Sequence, residues 1–97
     1  MRKKVDLKRS EIGQRQVFAI TAPDALNVKL VGNFTHWMER PIRLRRTKHG
    51  VWQTTVTLPR GSHHYHFLVD GECREDPKCL LRESNPYGGL DDVRYVP

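Results

Sequence analysis

From residue 17 onward the apolar side chains recur at every second position, in short runs that stop at turn-forming residues roughly every ten positions. That pattern excludes a helical bundle. The clearest run is Val51 to Leu58, where Trp52, Thr54, Val56 and Leu58 share one face and Gln53, Thr55 and Thr57 the other. His63 to Val69 places Tyr65, Phe67 and Val69 inward and His64, His66 and Leu68 on the opposite face, before the hairpin-type pair Asp70, Gly71. Val17 to Thr21, Asn27 to Val31, Ile42 to Arg45 and Val93 to Val96 supply weaker strands, each bounded by Pro, Gly, Asn or Asp. The expected fold is all-β, an immunoglobulin-like antiparallel β-sandwich of about seven short strands.

Size and charge narrow the function classes. A chain of 97 residues buries only about 60 to 70% of its unfolded surface, which supports one modest core and no deep cofactor cavity. No cofactor is expected. The formal net charge is +6, but residues 1–16 hold Arg2, Lys3, Lys4, Lys8, Arg9 and Arg15 against Asp6 and Glu11, so most of that charge belongs to a leader. The organisation read from this is a basic, flexible leader over 1–15 and one sandwich domain over 16–97. With no aromatic residue before Phe18 to stack on bases, nucleic acid is not the expected partner. Arg40, Arg43, Arg45, Arg46 and Lys48 form a second basic cluster, which fits an edge or surface strand. No apolar run approaches the roughly 18 residues of a membrane span, and the basic N-terminus is not followed by an apolar stretch. A soluble, cytoplasmic protein without membrane attachment is expected.

Five local patterns in order carry a family resemblance: VKLVGNFTHW (Val28 to Trp37), GVWQTTVTLPRG (Gly50 to Gly61), HYHFLVDGE (His64 to Glu72), EDP (Glu75 to Pro77) and NPYGG (Asn85 to Gly89). The chain resembles the glycogen-binding, isoamylase early-set type of module. Such modules adjoin starch-branching and debranching enzymes and form the glycan-binding domain of the AMP-activated protein kinase β-subunit. The resemblance implies a non-catalytic module that contacts α-1,4-glucan weakly on an open sheet face, flat rings against sugar C–H faces and polar groups on the hydroxyls. Of the family's binding positions, Trp37 keeps the first Trp, His66 stands in place of a Lys, Cys73 in place of a second Trp, and Asp91 in place of an Asn. Tyr87 precedes Asp91 in the same loop. The carbohydrate-binding candidates are therefore Trp37, His66, Tyr87 and Asp91.

One ring burying on the order of 100 Å² against a sugar supplies about 2.5 kcal/mol, and a millimolar constant needs about 4 kcal/mol. Trp37 needs helpers. The alternative is a degenerate glycan-binding fold that serves as a protein-interaction or regulatory module, with a protein partner on a sheet face or edge.

Other chemistry is weakly signalled. His64 and His66 share a face and would need a third ligand such as His36 to hold a metal; no closed ligand set is visible and no metal site is expected. Cys73 and Cys79 read as two reduced thiols. Asp70 is expected to fix its hairpin turn and Asp76 to organise the loop before Pro77. Adjacent Asp91 and Asp92 in a strand would point to opposite faces, against a paired-carboxylate glycosidase. An enzyme is not expected.

Overall fold

A computed structural model describes residues 13–97. Most of the basic leader lies outside the described residues. The alternating runs form antiparallel strands in two sheets. The smaller sheet has the order β1 (Gln14–Thr21), β5 (Val51–Leu58), β4 (Arg45–Arg46). In the larger one, β3 (Ile42–Arg43), β2 (Val28–Gly32), β6 (Gly61–Val69), β9 (Leu90–Val96) and β8 (Arg82–Ser84) follow one another, with β7 (Glu72–Arg74) pairing β6. The expected sandwich is what forms.

The inward faces meet as the alternation requires. Phe18 and Ile20 of β1, Leu30 of β2, Trp52 and Leu58 of β5, Tyr65 and Phe67 of β6 and Val96 of β9 are buried in one cluster. Trp52 lies in this core as expected, and its indole N–H finds the Ala22 carbonyl at 2.9 Å. That bond satisfies the one polar group the ring carries. Phe18 and Tyr65 meet edge to face at 4.9 Å, joining the two sheets.

Three local expectations need correction. The strand read over 42–45 is two short ones in different sheets: β3 pairs β2, β4 pairs β5, and the chain crosses between sheets at Leu44, whose side chain is buried and whose N–H bonds the Val28 carbonyl. Strands β7 and β8 have no counterpart in the alternation, because their residues are mostly exposed on both faces and lie at sheet edges. Asp70 does sit in its turn, at φ 51°. Its carboxylate, however, accepts the N–H groups of Leu26 and Asn27, so it ties the β6 hairpin to the β1–β2 connection.

Asp76 organises its loop as expected, accepting the Lys78 N–H, and it also accepts the buried Tyr65 hydroxyl at 2.7 Å. Burial, with that bond, pushes the Tyr65 phenol well above its usual range. Both cysteines are free. The basic cluster occupies edge strands β3 and β4 with Arg43, Arg45 and Arg46 exposed, as its pattern indicated. Among the described residues no helix is long and apolar enough to cross a membrane.

Candidate functional site

Strand β2 ends at Gly32, and the chain turns through two one-turn 3-10 segments, Asn33–Thr35 and Trp37–Glu39. Gly32 is needed there because a Cβ would meet the His64 carbonyl oxygen at 2.4 Å and the Phe34 ring at 2.7 Å. Buried Thr35 holds the turn: its hydroxyl accepts the Gly32 N–H at 3.0 Å and donates to the Trp37 carbonyl at 2.8 Å. His36 and Trp37 are both forced into left-handed backbone, at φ 51° and 55°. For side chains of this bulk that conformation costs on the order of 1 kcal/mol each, and it swings the indole out over the sheet. Trp37 is half-buried, lying over β6 with its ring 5.8 Å from that of His66.

The pleat of β6 sends His64 and His66 to this same outer face. Asp91 of β9 arrives beside them and is only 4% exposed. Its carboxylate accepts three side-chain donors: His66 Nε2 at 3.0 Å and Asn85 Nδ2 at 2.9 Å on Oδ1, and His64 Nδ1 at 2.9 Å on Oδ2. Burial pushes the Asp91 carboxyl up, but Asn85, His64 and His66 together outweigh it and hold the group below its ordinary value. Neighbouring Asp92 points to the other side, as strand period requires, where it accepts the Asp76 N–H and Arg82 Nε. There burial dominates and the Asp92 carboxyl is raised despite both donors. The paired-carboxylate geometry of a glycosidase is thus not formed by these two.

The loop after β8 completes the site. Asn85 Oδ1 accepts the N–H groups of Tyr87 and Gly89, and the Asn85 N–H bonds the Gly89 carbonyl, so one side chain closes the whole turn. Tyr87 stands out at 94% exposure. Trp37, His66, Asn85, Pro86, Tyr87 and Asp91 line one open recess of about 440 Å³. All four sequence candidates are in it.

Asn85 and Pro86 are the lining residues that sequence reasoning missed, although NPYGG carries the Asx-turn signature that would have found Asn85. Cys73 lies on exposed β7 and is not among the residues lining the recess. His64 and His66 are each bonded to carboxylates, and among the described residues no group of three such side chains is arranged to hold a metal ion. A second recess, of about 470 Å³, opens between β1 and the 78–81 segment, walled by Val17, Leu80, Leu81 and Tyr95 among others. None of the carbohydrate-binding candidates reaches it.

Comparison with known proteins gives the chain its relatives. The chain is 29% identical over 77 residues to a 1,4-alpha-glucan branching enzyme of Thermosynechococcus vestitus, covering 79% of this chain and 10% of that protein. It is 35% identical over 74 residues to the branching enzyme of Lactobacillus acidophilus (71% and 11%). For the branching enzyme of Burkholderia vietnamiensis the figure is 38% over 71 residues (71% and 9%). The chain spans about a tenth of the length of these curated relatives. The family model for the glycogen recognition site of AMP-activated protein kinase matches residues 16–92, which takes in strands of both sheets and every residue lining the 440 Å³ recess. The chain belongs to that family of glycogen-recognition modules.

Proposed function

We propose that this module binds α-1,4-glucan in the recess beside Trp37 and performs no chemistry on it. The observation that carries the reading is the convergence of an indole and a phenol ring, Trp37 and Tyr87, with a polar floor of His66, Asn85 and Asp91. Each ring offers a sugar an apolar face, and two such contacts supply about 5 kcal/mol before the cost of immobilising the ligand. A millimolar constant needs roughly 4 kcal/mol net of that cost, so the two rings do not reach it alone; the polar floor must contribute, and binding is weak. Asp91 already accepts three donors, which makes it the organiser of the floor more than a sugar acceptor. The name shared by the relatives, 1,4-alpha-glucan branching enzyme, supports the same sugar class.

Calorimetric titration with a cyclic maltooligosaccharide tests this. Saturable binding at millimolar sugar is expected, with Trp37→Ala abolishing it and Tyr87→Ala weakening it. An intact Trp37→Ala response, or no heat in the parent protein, defeats the proposal.

A second reading, a protein-interaction module that keeps the fold, rests on the exposed apolar residues around the other recess: Val17, Leu80, Leu81 and Tyr95. It gains ground only if glucan binding fails.

A further inference from the structure

We propose that His64, held as an imidazolium between Asp91 and Glu83, is the positioning residue that sets the wall of the glucan recess. This rests on the glucan reading above. His64 Nδ1 lies 2.9 Å from Asp91 Oδ2, and His64 Nε2 lies 2.9 Å from Glu83 Oε1. An ionised carboxylate only accepts, so both ring nitrogens must donate at once, and only the doubly protonated ring does so. His64 is not among the residues lining the recess. It acts through the residues it holds.

The reason a charge belongs there is the strand register. Glu83 of β8 is directly opposite Asp91 of β9, and like charges in that position repel. The His64 cation sits between the two carboxylates, offsets one of their two charges and screens them from each other. Strand β8 is the edge of its sheet, and its three register pairs with β9 hold it there. The loop carrying Asn85 and Tyr87 springs from this short hairpin. Asn85 is bonded to the same carboxylate that His64 holds, so the charge on His64 reaches the loop through Asp91.

The register puts two further cations on this sheet face, Lys29 of β2 opposite Leu68 and Arg43 of β3 opposite Lys29, both farther along the sheet from His64 than His66 is. His66, on the same strand, occupies the second Asp91 oxygen. Arg82 of β8 points to the opposite side, towards Asp92. Trp37 and the Asn85–Gly89 loop bring no charge.

The Asp91 hydrogen bond raises the His64 pKa above its ordinary 6.5, partly opposed by burial and reinforced by Glu83. The clamp is therefore complete below the ordinary histidine value and is lost as pH rises through the folded-state value. Deprotonation would leave one ring lone pair facing a carboxylate and the Glu83–Asp91 pair without its counter-charge. The loop then loosens and glucan affinity falls on the alkaline side.

Two measurements on the full chain test this. In the first, NMR of the histidine ring nitrogens is followed with the amides of Tyr87, Gly88 and Gly89 across a pH series. His64 is expected to be doubly protonated at neutral pH, with the loop amides titrating at its midpoint. In the second, calorimetry with a cyclic maltooligosaccharide compares the parent, His64→Gln, His66→Gln and the double variant His64→Gln with Glu83→Gln, with a melting curve for each. The parent is expected to lose affinity roughly threefold from neutral to alkaline pH, the size of one cross-strand like-charge contact. His64→Gln loses the step and binds weakly throughout, His66→Gln keeps the step, and adding Glu83→Gln restores affinity by removing the repulsion. A packing role for His64 gives no such rescue. A neutral His64 ring at neutral pH, a step that survives His64→Gln, or no rescue overturns the proposal. If the parent binds no sugar at any pH the glucan reading fails, and the ring and loop titrations still decide whether His64 carries the charge that sets the loop.

Discussion

At Asp91 and Asp92, two neighbouring carboxylates of one strand do different work because the pleat sends them to opposite faces. Asp91 is the floor of the recess; Asp92, with 0% exposure, fastens Asp76 and Arg82. Arg82 in turn donates to the Asp76 carbonyl, so three segments meet on one carboxylate. Replacing Asp92 by Ala would leave a buried N–H and a half-buried guanidinium without their acceptor. The expected loss is about 3 kcal/mol, measured by urea unfolding, with Asp92→Asn losing less because its amide oxygen still accepts. The opposed directions of these two residues were legible in the sequence from strand period alone. Their partners were not: Arg82, Glu83 and Asn85 lie in a stretch with no apolar alternation, and hydrogen-bond partners across loops leave no periodic trace. The network beneath His64 was hidden for the same reason, since Glu83 belongs to a strand that buries almost nothing.

Among elements, the 42–46 segment shows where periodicity misleads. Ile42, Leu44 and the arginines between them alternate like a strand, yet the chain changes sheet at Leu44. One residue of correct period fits both descriptions, because a crossing residue buried between two sheets is apolar just as an inward strand residue is. What separates them is which neighbour accepts the backbone, here Val28 of β2 at Leu44 and β5 immediately after. Leu44 thus seals the sandwich at its open side and brings the basic edge strands to both sheets. Leu44→Ala is expected to lose about 3 kcal/mol in chemical denaturation. The exposed Arg45→Ala next to it should stay within about 0.5 kcal/mol of the parent. If both variants behaved alike, the crossing would not be where the core is closed. Strands β1, β2, β5 and β6, by contrast, were legible because each buries one face: Phe18 and Ile20, Leu30, Trp52 and Leu58, Tyr65 and Phe67.

For the whole molecule the question is what the +6 charge does. The recess is walled by rings, an amide, a histidine and a carboxylate, with no lysine or arginine among its lining residues. A glucan held there would make stacking and hydroxyl contacts, which salt screens little, whereas the basic cluster on β3 and β4 faces water at the sheet edges. A polyanion held through four cationic contacts would lose about 100-fold in affinity between 50 and 200 mM salt, following counterion release. Glucan binding in the recess would change by less than about twofold over that range, since it releases no counterions. Titration with a cyclic maltooligosaccharide at the two salt concentrations reads this directly, and removing residues 1–12 should leave both values unchanged. A steep salt slope that disappears with the leader would mean that the charge governs binding. A flat one would place recognition in the recess that Trp37, Tyr87 and the Asp91 network assemble.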